Sequence, residues 1–304
     1  MSNQIREKVF PEIKKDTQTL LLVIDNLRYD HWVALRPLLN EYFTIEDDSL
    51  YFSILPTTTQ YARNALFSGL MPADLEKLYP DLWVDDEEDE MKNLHEEEML
   101  ISQLKRLGYS EKIYFDKVTS ANSGKKISDR VYKISQCHFS VLVHNFIDVL
   151  SHARTEMNMI KELANDEAAY RSITTSWFQH SPLFELLQAL ASKKINVIIT
   201  TDHGSVNIQN PIRVLGDKNV NTNLRYKQGK ALQYNAKEVF EITKPIEARL
   251  PQCHLSSSYI FAMNQDFFAY PNNFNYYANY YKDTFQHGGI SLEEMVIPYV
   301  FLRN

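Results

Sequence analysis

Seven side chains stand out for where they fall relative to apolar runs: Asp25, Thr59, Asp148, His152, Asp202, His203 and His287. Asp25 closes the run TLLLVID (19–25), Asp202 and His203 close INVIITTDH (195–203), and Asp148 ends FSVLVHNFID (139–148). Thr59 is the last of three threonines in ILPTTTQYARNALFSG (54–69), after an apolar run and a proline. His152 follows Asp148 by four residues, so a helical turn there puts both on one face. His287 sits in QHGG, where the glycines permit a tight backbone that turns the imidazole into a site. Three aspartates, three histidines and a hydroxyl are donors enough for two closely spaced divalent ions, the inventory of a two-metal phosphoryl-transfer centre. Mixed imidazole and carboxylate donors favour zinc, with manganese or iron as alternatives, over magnesium alone. A phosphate ester is anionic and repels nucleophiles, so its charge must be neutralised, the attacking hydroxyl activated and the leaving oxygen held. An isolated Asp-His pair is more often structural. Four separate segments that bring ligand-type residues to strand ends are not something a buried core requires.

Those positions need a scaffold that gathers strand ends. TLLLVID reads as a strand buried on both faces of a parallel sheet, and YFSILP (51–56), KIYFD (112–116), FSVLVHNFID and INVIITTDH repeat the pattern. Helical stretches lie between them: YARNALFSGL, EEEMLISQLKRLG and SPLFELLQALASKK, the last with a Ser-Pro start signal. The alternation predicts an α/β fold, a mostly parallel sheet flanked by helices, with its ligand at the carboxyl ends of the strands. Residues 206–256 are polar and interrupted and read as an insertion or cap over the site. SYIFAM (258–263) and VIPYVFLRN (296–304) read as further strands that return to the core, and residues 1–16 as a linker or leading helix.

At 304 residues and 44% hydrophobic content the chain can bury a substantial core. No apolar run approaches the roughly 20 residues of a membrane span, and the N-terminus lacks a signal-peptide core, so a cytoplasmic protein is expected. Cys137 and Cys253 offer no disulfide framework, and the pairs Cys137-His138 and Cys253-His254 lack structural zinc spacing. The net charge of −7 is concentrated in residues 85–98, where nine acids face one lysine. That run reads as a solvated acidic face, and it leaves the remainder near neutral, so phosphate binding falls to a local site with metal ions. Neither internal repeats nor a duplex-DNA-binding motif is present.

The order of these motifs resembles the alkaline phosphatase superfamily, and VIDNLRYDHW, LPTTTQYARNALFSGLMP, NFIDVLSHAR, TTDHGS and QHGGISLEEMVIP look like its PglZ-domain branch. The resemblance spans residues 17–304 and is nearest to the effector domains of PorX-type response regulators, which are linked to control of type IX secretion; no receiver domain accompanies this chain. It implies an alkaline-phosphatase-like fold in which Asp25, Thr59, Asp202 and His203 hold one metal and Asp148, His152 and His287 the other, both zinc or, alternatively, manganese. Thr59 would be the nucleophile, because the nucleotide phosphodiesterases of the superfamily carry P-T-x-T and Pro56 to Thr59 has that spacing. The implied reaction is hydrolysis of nucleotide phosphodiesters, short or cyclic oligonucleotides among them, by a chain that could form a homodimer. A phosphomonoesterase, or a non-catalytic binding module with a structural zinc site, is the alternative.

One departure bears on substrate binding. Those phosphodiesterases hold a phosphoryl oxygen with an asparagine three residues after the nucleophile, where this chain has Ala62. Arg63 and Asn64 are the candidate replacements, with a salt bridge or a helix-face contact as the competing reading of each. His144 and Asn145 read as core or supporting groups, and Asp30 and His31 as support for Asp25 or as the cap of a helix from Trp32. The aromatic stretch 267–281 reads as packing, with base stacking the minor alternative.

Overall fold

The computed structural model describes residues 1–13, 17–83, 93–118, 127–156, 162, 166–216, 220–252, 254 and 256–304, and of residues 152–156 the backbone alone. In chain order a π-helical turn (Ile5–Val9) leads into α1 (Phe10–Ile13), β1 (Thr19–Ile24), α2 (Tyr29–Leu39), β2 (Thr44–Phe52), α3 (Thr59–Ser68), α4 (Pro72–Leu78) and α5 (Glu96–Arg106). There follow β3 (Ile113–Val118), α6 (Ile127–Ser135), β4 (Phe139–His144), α7 (Phe146–Glu156), α8 (Glu167–Gln179), α9 (Pro182–Ser192) and β5 (Asn196–Thr200). The last third holds β6 (Val206–Asn207), β7 (Asn210–Arg213), β8 (Tyr226–Lys230), β9 (Val239–Ile242), β10 (Ser257–Ala262), β11 (Asp266–Ala269), α10 (Phe274–Tyr281), β12 (Phe285–Gln286), α11 (Leu292–Met295) and β13 (Val296–Arg303).

Six strands make the main sheet, in the order β2-β13-β5-β1-β4-β3. Strands β3, β4, β1 and β5 are parallel, and β13 runs antiparallel between β5 and β2. β1, β4 and β5 are buried along their whole length, because helices cover both faces. Leu21 and Val23 pack with Tyr61, Ala65 and Leu66 of α3, while Leu20, Leu22 and Ile24 pack with Trp32 and Leu35 of α2 and Leu183 and Leu187 of α9. Register aligns the strand ends, with Ile24 opposite His144 and Val23 opposite Thr200. Asp25 and the segment after Thr200 therefore emerge at the same end of the sheet.

The structure departs from the sequence reading at four places. The run YFSILP is only the tip of β2, which starts at Thr44 and ends at Phe52; its alternating, half-exposed residues belong to an edge strand. FSVLVHNFID is a strand only to His144, and Asp148 and His152 both lie on α7. SYIFAM forms β10 in a separate three-stranded antiparallel sheet, β8-β10-β9. β7 and β6, from the polar region after residue 205, pair with β11 and β12 from beyond residue 256. The leading segment is helical, and Ile5, Val9 and Ile13 lie in the same core as Leu21 and Val23; their four-residue spacing is a helical stripe set among charged neighbours. Among the described residues no helix is long and apolar enough to cross a membrane.

Candidate active site

Asp25, at the end of β1, and Asp202 and His203, just past β5, are brought together by the parallel register and are all buried. One ligand atom from each lies within 4.8 Å of the other two. Asp25 Oδ2 accepts from Arg63 Nη1 at 2.8 Å, and Asp25 Oδ1 has no hydrogen-bond partner among the described residues. Asp202 Oδ1 accepts from the His203 backbone N–H at 3.0 Å and from Thr201 Oγ1 at 3.2 Å, whereas Oδ2 has no hydrogen-bond partner among the described residues. His203 Nδ1 donates to the Gly204 carbonyl at 3.0 Å. A carbonyl only accepts, so the ring carries its proton on Nδ1 and presents the Nε2 lone pair. That lone pair faces Thr59 Oγ1 at 3.1 Å, Asp25 Oδ1 at 3.7 Å and Asp202 Oδ2 at 3.8 Å. Thr59 is half-buried and is the first residue of α3; the extended Thr58 before it makes no side-chain cap bond.

Two carboxylates this close in a dry pocket repel. Burial, then the Asp202 charge, push Asp25 up to about 6, against the pull of Arg63 and His203. For His203 burial opposes the charged ring, but Asp202, Asp25 and Asp148 together outweigh it and the net shift is upward. Two orphaned buried carboxylate oxygens and an imidazole lone pair fit a divalent cation, and the donor set suits zinc or manganese.

A second group adjoins the first. The His287 and His203 rings stack with centroids 4.1 Å apart and planes 17° from parallel. His287 Nδ1 donates to the Thr57 carbonyl at 3.1 Å, which directs Nε2 toward Asp148 Oδ1, 3.8 Å away and beyond hydrogen-bond reach. Asp148 lies in the first turn of α7, and the side chain of His152, one turn on, lies outside the described residues. Asn26 joins the two groups: its N–H approaches Asp202 Oδ1 and its Nδ2 approaches Asp148 Oδ1, each at 3.5 Å, and it adopts a left-handed φ of 62°.

The family model that describes the BREX system PglZ alkaline phosphatase-like domain matches residues 5–302. The chain belongs to the PglZ family. No curated protein matches it in sequence. Among solved structures, murine ectonucleotide pyrophosphatase/phosphodiesterase 5 is similar with a TM-score of 0.62 and 13% identity, over 93% of this chain and 87% of that one. Its human counterpart gives a TM-score of 0.57 at 13% identity, over 93% and 87% of the two chains. Phosphonoacetate hydrolase from Sinorhizobium meliloti gives 0.57 at 10% identity, over 94% and 89%. At such identities these likenesses show a shared fold, in keeping with the alkaline phosphatase-like family model.

Within this PglZ domain, Arg63 makes the salt-bridge contacts that were the competing reading of this residue. Its side chain is 3% exposed, and the guanidinium is occupied by Asp25 through Nη1 and by Glu96 through Nε at 2.5 Å. Asn64, the other candidate, is fully buried in α3. Glu96 corrects an expectation: it ends the acidic run's approach to α5, yet it is 0% exposed and also pairs with Lys117 at 2.6 Å. Residues 85–92 of that run lie outside the described residues. Asp30 pairs with Arg28 and Arg171, and His31 packs edge-on against Tyr170 at 4.9 Å; neither touches Asp25. Sequence reasoning did not single out Asn26, and it assigned neither Glu96 nor Thr57 a contact at the site. Only Asn26, directly after a strand-end aspartate, carried a local signal.

Proposed function

We propose that this PglZ domain is a two-metal phosphodiesterase that uses Thr59 as its nucleophile. The observation that carries the reading is the Thr59 hydroxyl at the start of α3, 3.1 Å from His203 Nε2 and beside the orphaned oxygens of Asp25 and Asp202. Asp25, Asp202 and His203, with Thr59, would hold one divalent ion and Asp148, His287 and His152 a second. Bound there, the ions would neutralise phosphate charge and acidify the attacking hydroxyl. The residues supply the rest. Thr59 loses its proton to solvent, and its Oγ1–P bond forms as the bond from phosphorus to the leaving alkoxide breaks; the alkoxide takes a proton back from solvent. Water then cleaves the phosphothreonine, restores the hydroxyl and releases a phosphomonoester. The helix dipole and first-turn N–H groups of α3, which Thr58 does not cap, favour the negative charge that builds at Thr59.

Nucleotide phosphodiesters, short or cyclic oligonucleotides among them, are the substrates we favour. The likeness to a nucleotide pyrophosphatase/phosphodiesterase supports this, as does an inactive threonine-to-alanine form of the murine protein that was solved with AMP. The motif resemblance supports a cytoplasmic role as the output domain of a response regulator acting on type IX secretion. The test is metal analysis with a substrate panel: the protein should hold two zinc ions, hydrolyse bis-p-nitrophenyl phosphate well above the monoester, and stop after chelation. Thr59→Ala should abolish turnover and keep at least one metal. A preference for the monoester would make it a phosphomonoesterase, and metal-replete protein inert on every ester would make it a binding module.

A further inference from the structure

Thr57 has the position of a turn residue and the contacts of something else. It is fully buried, and its hydroxyl accepts from the Gly288 N–H at 3.0 Å and donates to the Gly289 carbonyl at 2.9 Å. Its own carbonyl takes the Nδ1–H of His287 at 3.1 Å. Three hydrogen bonds thus run from one residue to three consecutive residues of the QHGG loop, more than 200 positions away. A turn off the strand end requires none of them.

The loop is shaped to come this close. Gly288 has φ +121°, and a Cβ there would meet Asn223 at 2.7 Å; a Cβ on Gly289 would lie 2.5 Å from the Ala262 carbonyl. From the other side Glu294 Oε1 accepts from the Gly289 N–H at 2.9 Å, and its carboxylate is held by Arg225 at 3.1 and 2.6 Å. The Glu294 carbonyl meanwhile accepts from the Gly204 N–H at 3.0 Å. Glu294 anchors both histidine loops, and Thr57 also accepts a hydrogen bond from the His287 ring. Because a carbonyl has no proton to give, the Thr57 contact fixes His287 with its proton on Nδ1 and aims Nε2 at Asp148.

We propose that Thr57 is a positioning residue for the second cation: its hydroxyl pins the QHGG loop against the nucleophile turn, and its carbonyl sets the tautomer and aim of His287. The assignment rests on the two-cation reading above. Valine matches threonine in shape but leaves the Gly288 N–H and the Gly289 carbonyl without their partner, whereas serine keeps both bonds.

Titration of metal-free protein with Zn²⁺ alone, followed by calorimetry, tests this. Wild type should bind in two steps; Thr57→Val should keep the tighter step and weaken the other about 10- to 100-fold, and Thr57→Ser should restore it. A Thr57→Val protein that matches wild type in both steps overturns the assignment alone. Equal weakening of both steps in a folded variant also overturns it, since the residue would then be merely structural. Wild type that binds one cation overturns the two-cation reading and the assignment with it. Should Thr57→Val fail to fold, ¹⁵N NMR of the histidine rings in metal-free wild type at pH 8 decides: a proton on His287 Nδ1 supports the assignment, and a proton on Nε2 overturns it.

Discussion

Arg63 Nη1 donates to Asp25 Oδ2 at 2.8 Å while its Nε holds Glu96, so a helix-α3 cation takes one oxygen of a strand-end carboxylate and leaves the other for a ligand. Burial disfavours the charged guanidinium, but Glu96, Asp25 and Asp202 outweigh it and hold its pKa above the ordinary value. Arg63→Met would strand the buried Asp25 carboxylate and leave Glu96 with Lys117 alone, and the metal-free protein should lose about 3–5 kcal/mol in urea unfolding. A divalent ion beside Asp25 supplies part of the missing charge. The deficit should therefore shrink when zinc is added, and an equal deficit with and without zinc would show that Arg63 and the cation do not share Asp25.

Gly204 sits between His203 and a crowded backbone. A Cβ there would lie 2.0 Å from the Glu293 carbonyl oxygen and 3.2 Å from Arg28 Cγ. Gly204→Ala must push the backbone that carries His203 or the turn that carries Glu294, at a cost of about 1–3 kcal/mol. Because the Gly204 carbonyl also sets the His203 tautomer, zinc affinity should fall along with the melting temperature. An alanine variant that melts lower yet binds zinc as wild type does would separate the two effects.

How much of this could be read from sequence depended on how local each partner was. β1 and β5 are continuous apolar runs closed by aspartates, so both strands and the residues Asp25, Asp202 and His203 that cluster at their ends were legible. β2 was misplaced because an edge strand is half-exposed and its residues Glu46, Asp47 and Asp48 hide the pattern. The ion pair that Arg63 makes was not legible, because its position beside Thr59 is local, while Glu96, which holds it, lies 33 residues away in a run that reads as solvated. The contacts of Thr57 were not legible for the same reason, since the partners of its hydroxyl stand 231 and 232 positions later. Nothing in residue type alone marks a hydroxyl whose bonds are all long-range.

Acid should weaken the fold through His31. The ring is buried, neither nitrogen has a hydrogen-bond partner among the described residues, and burial takes its pKa down to about 3, with Arg28 and Arg171 adding to the shift and Asp30 opposing it. Below pH 6.5 the unfolded chain gains a proton that the folded ring refuses until about 3. Stability therefore falls as pH drops across that window, by up to about 1.4 kcal/mol per pH unit for one full proton. His144, lowered to about 4 chiefly by burial, acts in the same direction. Urea unfolding of His31→Leu at several pH values between 7.5 and 4.5 should show a shallower acid slope than wild type, with His144 among the groups that account for what remains. An unchanged slope would mean that His31 is not the group refusing the proton.

Asp202 should trade stability against metal binding. Its carboxylate raises Asp25, so in the metal-free protein the two buried acids destabilise one another. Asp202→Asn removes that repulsion and keeps an oxygen to accept from Thr201 and the His203 N–H, so the metal-free variant should melt at or above wild type. Added zinc reverses the order. A site that binds the folded state alone gains about 4 kcal/mol at a ligand concentration a thousand times its dissociation constant, and the variant lacks one of the donors that supply that gain. Thermal unfolding of both proteins with chelator and with zinc should therefore give crossing results: variant equal or higher without metal, wild type higher with it. Parallel shifts in the two proteins would mean that the cation does not engage Asp202, and that the orphaned oxygen at this position serves some other partner.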